Sequence, residues 1–313
     1  MQAKEPTVAQ IMRAPFFSSI LSPLITGSLF ASSITQHFHW GGFFLVVVMG
    51  LGLHAATNIY NDIYDTLQGT DRINRLRNEF SGGSGLIIQF PHLLPKMYHL
   101  AQLSLLVALL ATAALMLVVK QNLWMYLWGL FLLSASFSKF YTAAPIKLAS
   151  RGLGEFSVWF AFGPMAILIS SISQNLGWHP LILTAMPITG ISTLSILLIG
   201  QLIDYQADKN SGKWGVAVRL GTRSTAVIYL IVQLLLMLNV VILSFLLKGF
   251  GLLLLISLVP YVQLLPKIGK ILLSHHHQAE LLTKAAGMNV NLHLRFSILL
   301  ALGMLAFKVL GKI

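Results

Sequence analysis

All five aspartates of this 313-residue chain fall in two short stretches. Asp62, Asp65 and Asp71 follow one long apolar segment, and Asp204 and Asp208 follow another. Spacings of three and four residues place the members of each pair, 62/65 and 204/208, on one face of a helix. Two such pairs facing one another would supply the hard oxygen ligands that suit Mg²⁺, a cation that also binds substrate phosphates.

Basic residues accompany both groups of aspartates. Arg72 follows the first group, and Lys213 and Arg219 follow the second. Carboxylates for a metal ion together with cations for phosphate oxygens are the combination that diphosphate chemistry needs. One pair alone would be typical of a solvated helix end. The confinement of the aspartates to two stretches instead favours a shared site.

The rest of the chain predicts a membrane protein. Hydrophobic residues make up 56% of it and charged residues only 10%, whereas a soluble domain has roughly 25% charged residues. Because a helix needs about 20 apolar residues to cross a bilayer, the sequence predicts nine spans, at residues 14–34, 38–58, 97–119, 123–141, 152–173, 180–203, 224–247, 249–273 and 289–310. We therefore expect an all-α polytopic membrane protein with nine transmembrane helices around a central cavity.

Composition also bears on other classes of site and on processing. The chain has no cysteine, which excludes disulfides, thiolate zinc sites and cysteine nucleophiles. The first apolar segment is too long for the core of a signal peptide, so it is interpreted as a retained span.

The lysines and arginines predict the orientation. With the N-terminus inside, all of them lie on the inner side except Lys120, Lys248, Lys308 and Lys312. Since cytoplasmic loops are enriched in basic residues, the N-terminus and the two Asp-rich loops, 59–96 and 204–223, are predicted to be cytoplasmic and the C-terminus to lie outside. In a bacterium this would be the cell inner membrane.

We expect residues 1–313 to form a single integral-membrane domain. The two Asp-rich stretches share a pattern, since Asp65 precedes Gly69 as Asp208 precedes Gly212. This similarity suggests duplicated halves, at about 14–141 and 152–273, followed by the final helix 289–310.

Four ordered motifs resemble those of the UbiA superfamily of intramembrane prenyltransferases. They are Asn61-Asp62-Ile-Tyr-Asp65 with Gly69 and Asp71, Ser81-Gly-Gly-Ser-Gly85, Tyr141-Thr-Ala-Ala-Pro145 continuing to Gly152-Leu-Gly-Glu155, and Asp204-x-x-x-Asp208-x-x-x-Gly212-Lys213 running into Arg219. The step from Asp65 to Asp71 looks like the menaquinone-pathway branch. The chain departs from that branch at Gln201-Leu-Ile before the second aspartate motif, at Lys147 and at Trp214-Gly215.

The resemblance implies Mg²⁺-dependent transfer of a polyprenyl group from its diphosphate to an aromatic acceptor. The implied partners are these two substrates and the lipid bilayer, and no nucleic acid is expected to bind. It implies that Mg²⁺ is held by Asp62, Asp65, Asp204 and Asp208. Asp71 would ligate a second ion or activate the acceptor. The implied substrate-binding residues are Asn61, Arg72, Lys213, Arg219, Tyr141 and Glu155. In the menaquinone branch the acceptor is 1,4-dihydroxy-2-naphthoate, which loses its carboxylate.

Several alternatives remain open from the sequence. The acceptor could be 4-hydroxybenzoate, homogentisate, a chlorin or a glycerol phosphate, and the protein could be a lipid phosphotransferase or a cation-binding transporter. Aromatic faces stabilise cations, so the candidate liners of the reaction chamber are Tyr141, Phe156, Trp159 and Phe160, with ordinary lipid or helix packing as the alternative for each.

Overall fold

The computed structural model describes residues 5–81 and 83–311 of the chain. Lys4, Gly82 and Lys312, which the sequence analysis uses, lie outside these residues. In the described ranges the regular elements are helical, and the one β-bridge is an isolated pair between Asn78 and Ser81. The prediction of an all-α fold is confirmed.

Eleven helices are numbered here in chain order. They are α1 (Ser18–Thr35), α2 (Trp40–Leu67), α3 (Leu94–Met116), α4 (Trp124–Phe140), α5 (Gly154–Ser173), α6 (Pro180–Ile203), α7 (Tyr205–Ser211), α8 (Val216–Leu220), α9 (Thr222–Leu247), α10 (Val259–His275) and α11 (Ala279–Leu310). Short helical turns at Val8–Ile11, Thr70–Ile73 and Leu86–Gln89 lie in the connections. A 3₁₀-helix, Gly249–Leu258, leads directly into α10.

Across the described ranges, eight helical segments are long and apolar enough to cross a membrane. They are Ala14–Thr35, Trp40–Leu67, Pro91–Met116, Gly154–Ser173, Pro180–Ile203, Thr222–Leu247, Gly249–His275 and Ala279–Leu310. The remaining predicted span is α4, whose 17 residues are fewer than the roughly 20 that a bilayer core requires. The protein is an integral, multi-pass membrane protein, and helix length alone does not establish nine crossings.

The predicted end of the second span, at residue 58, is wrong, because helix α2 continues to Leu67. The chain has no glycine or proline from Leu53 to Leu67, so nothing breaks the helix before Gly69, which adopts a positive φ of 92°. Asp62 and Asp65 therefore lie on the last turns of the helix and not in a loop. Both are buried, with exposures of 1% and 5%.

Two prolines shape helices without ending them. Pro164 lies in a π-helical turn, Ala161–Met165, inside α5, where the widened turn accommodates the missing N–H. Pro260 stands in the first turn of α10, where a helix tolerates proline. The span changes there from 3₁₀ to α geometry and continues.

Helix α6, which leads into the second aspartate group, is fixed by buried polar contacts with later helices. Asn289 of α11 accepts a hydrogen bond of 2.7 Å from the Tyr229 hydroxyl and donates one of 3.1 Å to Ser195. His293 lies 2.8 Å from Ser192. In an apolar membrane interior such interhelical hydrogen bonds hold helices in register.

Candidate active site

A cavity of about 300 Å³ lies between α1, α2, α4, α5 and α6. The end near the last turns of α2 and α6 is lined by charged or polar side chains: Arg13, Asn61, Asp65, Asp71, Asn74, Tyr141, Gln201, Asp204, Asp208 and Lys213. The rest of the wall is largely apolar and includes Ile20, Leu24, Val46, Met49, Phe162 and Ile196. The two aspartate groups, remote in sequence, thus meet at one end of one cavity.

Lys213 joins the two groups directly. Its Nζ lies 2.9 Å from Oδ2 of Asp65. Burial opposes the charged ammonium, but the carboxylates of Asp65 and Asp208 outweigh that effect and raise the pKa of Lys213 above its ordinary value. The lysine is therefore a fixed positive charge beside the cavity.

Asp71 and Asp208 are buried carboxyl groups that have other carboxylates nearby. Burial, together with the carboxylates of Asp65 and Asp62, raises the pKa of Asp71 to about 7. Burial also raises the pKa of Asp208 to about 7; Lys213 opposes this rise, and Asp204 adds to it. Both shifts indicate that additional positive charge at this end of the cavity would be stabilising.

A second contact, between Asn74 and Asp204, also joins the two aspartate groups. The amide nitrogen of Asn74 donates a hydrogen bond of 2.7 Å to Oδ1 of Asp204. Asn74 follows the short helix Thr70–Ile73, which packs against α7. Sequence reasoning missed Asn74, because its partner lies 130 positions away.

The glycine-rich segment covers the first aspartate group. Gly83 has φ 68° and lies against the carboxylate of Asp71, so that a Cβ there would collide with its oxygens. The backbone N–H of Ser84 donates to Oδ1 of Asp62 at 3.0 Å. Glycine is required because both the positive φ and the close approach exclude a side chain.

Asp62 lies behind the described cavity wall and is held by Arg13, which lines the cavity. Arg13 lies 3.7 Å from Oδ1 of Asp62, and its guanidinium stands 4.6 Å from the ring centre of Phe16. The other oxygen, Oδ2, is buried and has no hydrogen-bond partner among residues 5–81 and 83–311. Sequence reasoning used Arg13 only for orientation, and nothing in its local sequence marks it as a partner of Asp62.

Glu155 supports the second aspartate segment. Its Oε1 accepts hydrogen bonds of 2.6 Å from the Gln201 side chain and 2.7 Å from the backbone N–H of Val216, at the start of α8. Gln201 lines the cavity, whereas Glu155 lies behind it. Gln201, at which the sequence departs from the family pattern, is thus the hydrogen-bond partner of Glu155.

The structure does not bring two of the predicted arginines to the described cavity wall. Arg219 is exposed, and its guanidinium donates to the carbonyls of Trp214 at 2.7 Å and Arg151 at 2.9 Å, which braces the segment after Lys213. Arg72 is exposed and borders a separate surface depression.

The aromatic liners also differ from the sequence expectation. Phe156, Trp159 and Phe160 pack on one another away from the described cavity wall, and Phe156 is 53% exposed. The cavity is instead lined by Phe16, Phe80, Phe137 and Phe162, and by Tyr141 as predicted.

In the described part of the chain, no three Asp, Glu or His side chains lie close enough to hold one metal ion. The expected four-aspartate site is therefore not assembled by protein groups alone. Mg²⁺ in phosphate-binding sites is typically held by one or two carboxylates, waters and substrate phosphates. Two carboxylate groups on one cavity fit that arrangement.

Known proteins resemble the chain in sequence. Residues 20–292 match the UbiA prenyltransferase family. The chain is 27% identical over 299 residues to a 2-carboxy-1,4-naphthoquinone phytyltransferase of Synechocystis sp., covering 93% of this chain and 91% of the relative. It is 28% identical over 211 residues to a 1,4-dihydroxy-2-naphthoate octaprenyltransferase of Mycobacterium tuberculosis, covering 67% and 68%.

Solved structures share the fold. A UbiA homolog from Aeropyrum pernix superposes with a TM-score of 0.66 at 12% identity, over 96% of this chain and 99% of the other. A UbiA homolog from Archaeoglobus fulgidus bound to DMAPP and Mg²⁺ gives 0.55 at 12% identity, over 94% and 99%. With its helical fold and the family match over most of its length, the chain belongs to the UbiA prenyltransferase family and is a membrane-embedded prenyltransferase.

Proposed function

We propose that this prenyltransferase moves a polyprenyl group from polyprenyl diphosphate to 1,4-dihydroxy-2-naphthoate, with loss of the acceptor's carboxylate, in menaquinone biosynthesis. The observation that carries the proposal is the division of the cavity into a charged end with Asp65, Asp208 and Lys213 and a largely apolar remainder. A diphosphate fits the charged end and an isoprenoid fits the apolar part. The naphthoate and naphthoquinone relatives support the acceptor.

Mg²⁺ fits the residues at the charged end. Oδ2 of Asp62 and Oδ1 of Asn61 are buried oxygens with no partner in the described ranges. Asp62 and Asp65 on α2, with Asp204 just before α7 and Asp208 on it, would hold the ion together with diphosphate oxygens. When bound, it supplies charge neutralisation for the departing diphosphate. Asp71 lies close enough to influence this charge, as a ligand or as a base.

The chain's own residues would assist the separation of charge. Lys213 is positioned to donate to diphosphate oxygens, because its ammonium already lies at the cavity wall between Asp65 and Asp208. As the allylic C–O bond breaks, its electron pair leaves with the diphosphate and the prenyl carbon becomes cationic. The apolar wall excludes water from that carbon, and the faces of Phe137 and Phe162 would stabilise it.

We also propose that α4 forms a ninth crossing. Its outward residues are apolar and exposed, with Met125 at 83%, Tyr126 at 65% and Leu132 at 59%, as expected of a surface that faces lipid. An odd number of crossings puts the two termini on opposite sides of the membrane. The distribution of basic residues supports a cytoplasmic N-terminus, cytoplasmic aspartates and an outside C-terminus.

The decisive experiment uses purified protein in lipid nanodiscs with labelled polyprenyl diphosphate and a panel of acceptors. We expect mass spectrometry to find a prenylated, decarboxylated naphthalenediol, formed only with Mg²⁺ and lost on chelation. Asp65→Asn and Asp208→Asn should each abolish transfer. Transfer only to 4-hydroxybenzoate or homogentisate would contradict the naphthoate assignment. Retained transfer in both variants would contradict the proposed role of the aspartates.

A further inference from the structure

A polar stripe on α2 extends from the aspartates far into the apolar part of the cavity. His54, Asn58, Asn61 and Asp65 follow one another at intervals of three or four residues, which places them on one helix face, and all four line the cavity. His54 precedes Asp62 by eight residues, or about 12 Å along the helix axis. It is an imidazole two turns of α2 before the aspartates.

The ring of His54 is fixed by its neighbours. Its exposure is 8%, and it meets Phe17 edge-on at 5.7 Å and Phe162 edge-on at 5.3 Å between ring centres. These contacts hold the imidazole in one orientation at the cavity wall.

One ring nitrogen of His54, Nε2, is buried and has no hydrogen-bond partner in the residues that the structure describes. In the neutral tautomer that carries its proton on Nδ1, Nε2 offers a lone pair that can accept a hydrogen bond.

A buried hydrogen-bond acceptor atom without a donor is destabilising. A substrate that can donate a hydrogen bond to Nε2 would remove this cost. A polyprenyl tail has no hydrogen-bond donor and cannot satisfy this lone pair. A hydroxylated aromatic acceptor can, because a ring hydroxyl donates one hydrogen bond. A hydroxyl that donates to a lone pair also releases electron density into its ring, which favours attack on an allylic cation.

We propose that Nε2 of His54 accepts a hydrogen bond from a ring hydroxyl of the aromatic acceptor and so orients the acceptor towards the allylic carbon. The inference rests on the proposed function to the extent that the acceptor is a hydroxylated aromatic. His54 is then an acceptor-binding residue two turns of α2 from the aspartates, and Phe162 packs beside both the imidazole and the acceptor ring.

The first test compares two substitutions in the full-length protein. His54→Phe keeps a planar ring and removes the lone pair, whereas His54→Gln provides an amide oxygen that can accept. For His54→Phe we expect KM for 1,4-dihydroxy-2-naphthoate to rise about 10- to 100-fold, with KM for polyprenyl diphosphate and the prenyl-length preference unchanged. His54→Gln should recover most of the affinity. Thermal unfolding of each variant, with and without prenyl diphosphate, establishes that it is folded.

The second test removes the hydroxyl from the substrate instead of the imidazole from the protein. The two mono-methyl ethers of the acceptor are compared in the wild-type protein and in His54→Phe. One of the two ethers should bind the wild-type protein more weakly than the unmodified acceptor does. In His54→Phe the same ether and the unmodified acceptor should bind equally, because the substitution and the methylation remove the same hydrogen bond. This comparison uses the wild-type protein as well, so it does not depend on the variant alone.

Two results would overturn the inference. One is an unchanged KM for the acceptor in His54→Phe, and the other is a changed KM or length preference for the prenyl diphosphate, which would place His54 beside the tail. Absence of transfer by the wild-type protein to any hydroxylated aromatic would instead contradict the proposed function itself. The two failures are therefore distinguishable.

Discussion

The ammonium of Lys213 lies 2.9 Å from the Oδ2 atom of Asp65, although the two residues are 148 positions apart in the chain. Their side chains are 20% and 8% exposed, so the pair is largely shielded from solvent. One charge comes from the end of α2 and the other from the segment after α7. The pair thus links the two aspartate groups and supplies a cation at the cavity wall.

Removal of the Lys213 charge should impair both activity and stability. We expect Lys213→Met to reduce prenyl transfer by about 100-fold or more, since an electrostatic donor at a reacting charge contributes on that scale. It should also lower the free energy of unfolding by about 3 kcal/mol, because Asp65 would be left buried and uncompensated. Transfer rates and thermal unfolding in nanodiscs measure both effects.

The exposed contact between Nε2 of His92 and the carboxylate of Glu5 provides the control for Lys213→Met. Its side chains are 62% and 61% exposed, and solvent weakens such pairs. Glu5→Gln should leave transfer and unfolding unchanged. An equal loss in Glu5→Gln and Lys213→Met would show that the effect is not specific to the cavity.

The bridge from Glu155 to Gln201 should act on substrate binding through the position of the segment that carries Lys213. We expect Glu155→Leu and Gln201→Leu each to raise KM for polyprenyl diphosphate about 10-fold, the scale found for groups that orient binding residues. The double variant should be little worse than either single one, because the two residues share one bridge. Steady-state kinetics with both substrates measure this.

Glu155→Gln is the matched control for the bridge. Its amide oxygen can still accept from the Gln201 side chain and the Val216 N–H, which are the two observed donors. Transfer should therefore be largely retained. If Glu155→Gln were as defective as Glu155→Leu, the carboxylate charge, and not the bridge, would be the important property.

Gly83 should be sensitive to the smallest substitution. Alanine at this position meets the carboxylate of Asp71 and adopts a φ of 68°, a left-handed conformation that costs an L-residue roughly 1–2 kcal/mol. We expect Gly83→Ala to displace Asp71 and to reduce transfer. Gly129 of α4 is the control, since a Cβ there meets nothing within 4 Å. Equal activity of the two variants would mean that the loop does not constrain Asp71.

Sequence reasoning predicts the apolar helices because long apolar runs are a direct physical requirement of the bilayer. It also selects Asp65 and Asp208, because carboxylates at membrane helix ends are rare and costly. It misplaces the end of α2, since the turns that carry Asp62 and Asp65 are polar enough to resemble a loop while remaining buried.

The partners of the aspartates are not predictable from local sequence. Arg13 and Asn74 are ordinary polar residues whose roles come from their positions in space, 3.7 Å and 2.7 Å from Asp62 and Asp204. His54 lies in an apolar stretch, and only the fold shows that this residue lines the cavity and that its buried Nε2 has no partner among the described residues.

Aromatic residues in a membrane helix are equally ambiguous, because lipid and a substrate tail are both apolar. In the structure Phe137 lines the cavity, whereas Phe156 is 53% exposed on the outer surface. Phe137 lies one helical turn before Tyr141 and so close to the charged end, where the allylic carbon would become cationic. Phe137 and Phe156 can therefore be compared as a phenylalanine that lines the cavity and one that lies on the outer surface.

Phe137→Leu should change the fate of the allylic cation. Loss of the ring removes a face that stabilises positive charge and opens space for water, so we expect a larger fraction of prenyl diphosphate to be hydrolysed to prenol. The ratio of prenol to prenylated acceptor, read by mass spectrometry, should rise about 10-fold, which corresponds to about 1.4 kcal/mol of lost selectivity. Phe156→Leu should leave the ratio unchanged, because its ring lies outside the cavity. A rise in Phe156→Leu alone would place the cation at the outer aromatic cluster and contradict the assignment of this cavity as the reaction chamber.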